Sequence, residues 1–204
     1  MTDTPRPMRQ RILEAAFDAF MRHGYGGAST SEIARLAQVS KRDLYALFGS
    51  KKAMLADCVA DRAELMRQPL SLPGPTDQTS LRQTLIAFGT TVLLVVSRPE
   101  VLATYRLAIL EAEDGPDVAA TLDRYGRADN VEALVGLLTT ARDLGLLGGE
   151  PPDMADLFLG VLMSGGILVR MLMRVTAAPT EAEARQRAET ATGVLLRLHA
   201  LGGG

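Results

Sequence analysis

The sequence has few of the residues that build metal, redox or disulfide sites. Its 204 residues include one cysteine and two histidines. A single cysteine, Cys58, cannot form an internal disulfide, and it excludes zinc and iron–sulfur sites that need several cysteines. His23 and His199 lie far apart in the sequence and form no HxxxH pair. We therefore predict no metal and no cofactor.

Membrane and catalytic signals are also missing. The longest segment without a charged residue, Gln83–Ser97, is too short to cross a bilayer. The N-terminus has no apolar stretch typical of a secretory signal, so we expect a soluble cytoplasmic protein with no membrane partner. No Ser/His/Asp set, recognisable carboxylate pair or phosphate-binding glycine loop indicates an enzyme.

The formal net charge of −2 conceals an uneven distribution. Residues 1–55 contain nine Lys and Arg against five Asp and Glu, a net charge of +4, and five of the nine aromatic residues. Residues 56–204 contain thirteen basic and nineteen acidic residues, a net charge of −6. This asymmetry indicates an anionic partner for the N-terminal part, although a chance fluctuation of surface charge would give the same numbers.

Hydrophobic periodicity predicts helices along nearly the whole chain. No run of alternating β-branched residues indicates a strand. The predicted fold is all-α, with about nine helices. The fold comprises a small helical module over residues 1–55 and a larger helical module over residues 56–204. The stretch Gln68–Gln78 contains three prolines and predicts a loop.

Helix limits are also predicted in the second half of the chain. The seventh predicted helix runs from Pro116 to about Leu144, and the eighth from Asp153 to about Val175. Capping boxes are predicted at the start of the fifth and ninth helices, from Ser80 with Gln83 and from Thr180 with Glu183.

Two short predicted helices flank a tight turn near the N-terminus. The first covers Ser31–Ala37 after a Thr30 cap, and the second covers Lys41–Phe48 after a Ser40 cap. This arrangement is typical of a helix-turn-helix, in which the second helix enters the major groove of DNA with its N-terminal residues against base edges.

The N-terminal turn of the second helix carries the candidate DNA contacts. Arginine pairs with guanine through two hydrogen bonds, and lysine contacts guanine or phosphate, so Lys41 and Arg42 are candidates. Asp43 either closes a capping box with Ser40 or accepts a hydrogen bond from a cytosine amine.

These residues carry a family resemblance. The segment Thr30–Leu55, TSEIARLAQVSKRDLYALFGSKKAML, is similar to the DNA-binding segment of TetR-family transcriptional regulators. Arg11–Tyr25 is similar to the first helix of that family. Three further pieces, Arg98–Glu100, Arg106–Leu107 and Glu111–Glu113, resemble the AefR-like C-terminal subgroup.

The resemblance implies an N-terminal three-helix helix-turn-helix DNA-binding domain over residues 1–55 and a larger helical ligand-binding and dimerisation domain over residues 56–204. It also implies a homodimer that binds a double-stranded DNA operator and releases it when a small-molecule effector binds the C-terminal domain. Carried over by position, it implies backbone contacts by Lys41 and Tyr45 and phosphate contacts by Thr30 and Lys51. The predicted DNA-binding set is Thr30, Ser40, Lys41, Arg42, Asp43, Tyr45 and Lys51.

Two positions depart from the family pattern. Gln38 stands where the family usually has glycine in the turn, which predicts a left-handed residue other than glycine. Arg42–Asp43 stands where Gly-Thr is common. This makes Arg42 a candidate for base readout and puts a phosphate contact by Asp43 in doubt.

The last two predicted helices carry small and apolar faces. They predict a four-helix bundle with a second copy of the chain, and the alternative is that they close the core of the monomer. The predicted dimer interface is Leu157, Val161, Gly165, Leu168, Leu172, Ala191, Leu195 and Leu198.

Apolar residues of the middle helices predict a pocket for a hydrophobic or amphipathic effector. The alternative for each residue is that it packs in the ordinary hydrophobic core and lines no pocket. The predicted lining is Phe88, Thr91, Val92, Tyr105, Arg106, Leu110, Leu138 and Met163.

We therefore predict a ligand-released repressor. Two other functions stay open. The first is a ligand-independent architectural DNA-binding protein of the same fold, and the second is a helical enzyme or carrier of small molecules.

Overall fold

The computed structural model describes residues 7–71, 74–113 and 117–200. Within these ranges the chain contains helices and no strand, which confirms the predicted all-α fold. The helices are α1 Met8–Gly27, α2 Thr30–Leu36, α3 Lys41–Phe48, α4 Lys51–Arg67, α5 Gln78–Val96, α6 Pro99–Leu110, α7 Asp117–Thr121, α8 Asp129–Asp143, α9 Pro151–Leu162, α10 Ile167–Leu172 and α11 Glu181–Leu198.

Two of the helices expected from the sequence are interrupted. The predicted seventh helix is divided into α7 and α8 by a π-helical segment at Leu122–Ala128. The predicted eighth is divided into α9 and α10 by a 3₁₀ turn at Ser164–Gly166, where Gly165 and Gly166 have φ of 70° and 65°. Glycine adopts such angles without steric cost. A further 3₁₀ turn, Gln68–Ser71, lies within the predicted loop.

Capping residues explain where several helices begin. The predicted capping box of Thr180 and Glu183 is present at α11. Helix α2 begins one residue early because Ser29, rather than Thr30, is its cap. Helix α5 begins at Gln78 because the box is formed by Asp77 and Ser80, which corrects the predicted box of Ser80 and Gln83.

The chain packs into two compact units. The first comprises Met1–Arg62 and Ala103–Gly126, and the second Ala63–Leu102 and Arg127–Gly204, as far as each is described. This division differs from the division predicted from the sequence, which has a single boundary after residue 55. The first unit includes most of α4 and also a segment that returns about forty residues later in the sequence.

The core of the first unit joins the helix-turn-helix to this returning segment. Ile12, Phe20 and Leu44 are fully buried in it. Leu107 and Val118, from the returning segment, belong to the same cluster. The apolar faces of α1 to α3 are therefore closed partly by residues far away in sequence.

The second unit is built around α11, which packs on α5 and α9. The backbones of α5 and α11 approach closely at Gly89, where a Cβ atom would lie 2.9 Å from the Cβ of Ala188 and 3.1 Å from the ring of Phe158. The rings of Phe88 and Phe158 stack next to this contact, with centroids 6.2 Å apart.

Two segments are long and apolar enough to cross a membrane by length and composition alone, namely Gln78–Val96 and Pro151–Leu172. This corrects the expectation that no segment is long enough. Core helices of soluble proteins pass the same test. The first segment is α5, which packs against α11, and the second is α9 and α10 with the glycine turn between them.

The contact at Gly89 predicts the effect of one added methyl group. Gly89→Ala should lower the free energy of unfolding by about 1–3 kcal/mol, because three neighbours must shift. The matched control is Gly136→Ala in α8, where a Cβ meets nothing within 4 Å; it should stabilise the helix by up to ~1 kcal/mol. Urea unfolding followed by circular dichroism measures both, and equal effects would contradict the close approach.

Candidate nucleic-acid interface

Helices α2 and α3 form a helix-turn-helix whose turn depends on Gln38. Its φ of 55° places it in the left-handed region, as the sequence predicts. The turn is closed by backbone hydrogen bonds from the N–H of Gln38 to Arg35 O and from the N–H of Val39 to Ala34 O, at 3.2 and 3.0 Å. The direction of α3 relative to α2 is therefore fixed by the backbone.

The capping box at the start of α3 is present. The Ser40 hydroxyl accepts from the Asp43 N–H at 3.1 Å, and the Asp43 carboxylate accepts from the Ser40 hydroxyl at 2.7 Å. The capping interpretation of Asp43 is thus confirmed, and Ser40 serves the same cap. Lys41 and Arg42, between them, are exposed.

Thr30 and Tyr45 link the two helices across the exposed side of the motif. Their hydroxyl groups lie 3.2 Å apart, within hydrogen-bond distance. Thr30 is the first residue of α2 and Tyr45 is 45% exposed on α3. Both hydroxyls can donate to phosphate oxygens, and the N-terminus of a helix attracts phosphate.

The corner at residues 24–28, where the chain turns from α1 into α2, is held from its amide side by Glu111, which the sequence placed in the segment Glu111–Glu113 that resembles the AefR-like subgroup. Its Oε1 accepts from the backbone N–H of Tyr25 at 2.6 Å and from that of Gly26 at 3.4 Å. Gly24 has a φ of 73°, and a Cβ there would lie 2.7 Å from the same oxygen. Glycine is therefore favoured by the backbone angle, and a Cβ would displace the Glu111 carboxylate from this contact.

Lys51 holds the same corner from its carbonyl side. Its ammonium donates to the backbone oxygens of Tyr25, Ala28 and Gly26 at 2.7, 3.2 and 3.4 Å. An ammonium has three N–H donors, and in this arrangement all three are used. In the free protein Lys51 therefore fixes the corner, and its phosphate contact stays a prediction.

Further charges surround the corner. Lys52 forms an exposed ion pair with Asp117 at 2.6 Å. The Lys51 ammonium lies 4.6 Å from the centre of the Tyr25 ring. Burial, together with the carboxylates of Asp117 and Glu111, raises the pKa of the Tyr25 phenol. No signal local to residues 24–28 could have revealed partners that lie up to 86 positions away.

Family models match both parts of the chain. Residues 12–58 match the model of bacterial regulatory proteins of the TetR family. Residues 83–200, more than half of the chain, match the C-terminal domain of AefR-like transcriptional repressors. The chain belongs to the TetR family of transcriptional regulators. Members of this family are regulators and not enzymes, in agreement with the sequence analysis.

Individual relatives support the same family assignment. A TetR transcriptional regulator from Agrobacterium tumefaciens is 28% identical, with a TM-score of 0.76 over 97% of this chain and 95% of that one. A protein named flavonoid-responsive regulator FrrA is 25% identical, with a TM-score of 0.74 over 94% of this chain and 96% of that one. The uncharacterised HTH-type transcriptional regulator YvkB of Bacillus subtilis is 26% identical over 86% of this chain and 90% of its own length.

The residues expected to line an effector pocket in this TetR-family chain fall in different places. Phe88, Val92 and Leu138 are fully or almost fully buried in the core of the second unit. Thr91 and Met163 are half-buried there. Tyr105, Arg106 and Leu110 belong to the first unit. Tyr105 packs against the core of that unit, and Leu110 is 78% exposed, which corrects its expected place in a pocket lining.

The expected dimer residues also divide into two sets. Ala191 and Leu195 are fully buried on the side of α11 that closes the core of the second unit, which corrects their assignment to an outer surface. The other six are half-buried or exposed on α9, α10, the glycine turn and the end of α11: Leu157, Val161, Gly165, Leu168, Leu172 and Leu198.

Cys58 is buried on α4, and its thiol donates to the backbone oxygen of Leu13 at 3.4 Å. Burial raises the pKa of this thiol to about 12. Thiols react as thiolates, and little thiolate exists at neutral pH for a group with this pKa. The side chain therefore serves packing between α1 and α4.

The clamp formed by Glu111 makes a testable contribution to the stability of this TetR-family chain. Glu111→Ala leaves the partly buried N–H of Tyr25 without its acceptor, so the free energy of unfolding should fall by about 1–3 kcal/mol. The control is Glu113→Ala, an exposed position two residues on, where a change within ~0.5 kcal/mol is expected. Denaturant unfolding measures both, and indistinguishable losses would show that the clamp contributes nothing.

Proposed function

We propose that this TetR-family regulator is a cytoplasmic homodimeric repressor that binds a palindromic operator and releases it when a small hydrophobic or amphipathic molecule binds. The observation that carries the DNA-binding step is the exposed turn Lys41–Arg42, held by the box of Ser40 and Asp43 at the start of α3. Arg42 reads a base edge in the major groove, and Lys41, Thr30 and Tyr45 contact the sugar–phosphate backbone.

A dimer is supported by the outward apolar surface of the second unit. Leu157, Val161 and Leu168 are half-buried, and Leu198 is 67% exposed. Glycines on the same helices leave room for close approach, since a Cβ at Gly160 or Gly193 meets nothing within 4 Å. Two helix-turn-helix motifs are needed because one recognition helix reads too few base pairs to specify a site.

The effector is supported by the AefR-like match over residues 83–200 and by the name of one relative, FrrA, which is called flavonoid-responsive. An effector releases the operator only if it binds the released state of the dimer more tightly than the DNA-bound state. A flavonoid is therefore the first compound class to test. Operator release should occur at concentrations that also raise the melting temperature of the free protein.

A second candidate is a DNA-binding protein of the same fold that needs no effector. It is favoured by the complete burial of Phe88 and Leu138, which are predicted pocket residues that lie in packed core. The two candidates differ in one measurement. If a broad panel of apolar and amphipathic compounds neither shifts the melting temperature nor releases the operator, the second is correct.

The DNA contacts predict a specific pattern of salt dependence. An operator recovered from a random DNA pool should bind with a log–log salt slope of about −5 to −9, which corresponds to six to ten phosphate contacts. Lys41→Ala should weaken binding to all sequences and reduce the slope by about one per bound lysine. Arg42→Ala should relax selection at one base pair of each half-site, at a cost of about 1–3 kcal/mol.

Arg82→Ala is the matched control for these variants, because it removes an exposed arginine of α5 in the second unit. Fluorescence anisotropy at four salt concentrations gives the slopes. A wild-type affinity that hardly changes with salt, or equal effects of Arg42→Ala and Arg82→Ala, would refute the assignment.

The dimer surface predicts the effect of a charge placed on it. Val161→Glu should convert the dimer to monomer at micromolar concentration and weaken operator binding more than tenfold, because a buried interface excludes an unpaired carboxylate. Leu144→Glu is the control, since Leu144 is 55% exposed in the second unit and lies outside the proposed interface. Sedimentation velocity measures the oligomeric state, and a dimer that persists in Val161→Glu contradicts this interface.

A further inference from the structure

The exposed side of the recognition helix, α3, is charged in its N-terminal half and apolar in its C-terminal half. Leu44 and Phe48 point into the core, so the opposite side of α3 consists of Arg42 and Ala46, with Tyr45 and Leu47 on the two flanks. The N-terminal half of this side is charged. The C-terminal half offers the methyl group of Ala46 and the isobutyl group of Leu47.

Leu47 is 49% exposed, so its isobutyl group is available for contact outside the core. The Tyr45 flank faces α2, as its contact with Thr30 shows. Leu47 lies on the other flank, one turn beyond Asp43, whose carboxylate is held in the capping box. Because the Asp43 carboxylate is engaged in the cap, Leu47 is the side chain of α3 available for contact with DNA on that flank.

The whole of α3 fits within the major groove. A helix of eight residues is about 12 Å long, which is close to the ~12 Å width of the groove. When the N-terminal turn contacts base edges, the C-terminal half consequently remains between the two walls of the groove. Leu47 and Ala46 then face bases or sugar–phosphate and not open solvent.

The C5 methyl of thymine is the largest apolar group on the major-groove edge of the bases. A leucine placed against a donor or acceptor of another base removes water from that group and returns no hydrogen bond, which costs free energy. We infer that Leu47, beside Ala46, selects thymine in each half-site by packing against its C5 methyl group. This inference rests on operator binding as proposed above and adds a specificity-determining residue to it.

The test removes the methyl group and nothing else. Uracil lacks the C5 methyl and keeps the pairing of thymine. In the selected operator, each thymine of one half-site is replaced in turn by uracil, and the dissociation constant is measured at fixed salt. For the wild-type protein we expect one or two positions at which uracil weakens binding about fourfold, the value for one buried methyl group.

Leu47→Ala should abolish this difference at one of those positions, so that the thymine and uracil operators bind equally. Leu144→Ala, the control for loss of an exposed leucine, should keep the fourfold difference. Leu47→Gln supplies an independent readout, because glutamine pairs with adenine, and the base selected at that position should change from thymine to adenine. Circular dichroism confirms that each variant is folded before binding is compared.

Two results would overturn the inference while leaving operator binding intact. One is a selected operator in which no uracil substitution weakens binding. The other is a uracil penalty that Leu47→Ala leaves unchanged. Failure to select any DNA sequence is a different result, since it refutes the proposed function together with the inference.

Discussion

The helix-turn-helix of this protein depends on a corner of backbone held between two opposite charges. Glu111 accepts the amides of Tyr25 and Gly26, and Lys51 donates to the carbonyls of Tyr25, Gly26 and Ala28. Hydrogen bonds to ionised groups are about twice as strong as neutral ones. The corner leads into the Ser29 cap at which α2 begins, and α2 and the turn at Gln38 set the direction of α3. A local arrangement of charges therefore determines where Lys41 and Arg42 are presented.

The same corner explains why the first unit is larger than the segment that reads DNA. Residues 1–55 contain Lys51, but they lack Glu111, Leu107 and Val118, which complete the corner and the core. The positive charge of this part of the chain is also used in holding the corner and its surroundings. Residues 1–55 have a net charge of +4, yet two of their positive charges, Lys51 and Lys52, are directed to the protein's own oxygens. The charge available to DNA is concentrated on fewer residues than composition indicates.

The sequence predicts features whose causes are local. The capping boxes of Ser40 and Thr180 and the left-handed Gln38 each depend on residues within four positions, and each is present. Features that depend on distant packing were missed. Ala191 and Leu195 carry the same apolar pattern whether they face the core or a partner, because periodicity identifies a buried face and not what covers it. The inward direction of Lys51 likewise depends on where the corner lies in space.

In the operator complex proposed above, the two halves of α3 make contacts of different physical origin. The proposed contacts of Lys41 and Arg42 are electrostatic, so they contribute affinity and a fast encounter and they weaken as salt rises. The inferred contact of Leu47 with thymine is apolar, and burial of a methyl group depends little on ionic strength. Discrimination for thymine consequently persists under conditions in which total affinity falls. In this proposal the charged half of α3 supplies salt-dependent affinity and the base contact of Arg42, and the apolar half adds a discrimination that depends little on salt. The position of both halves traces back to the clamped corner before α2.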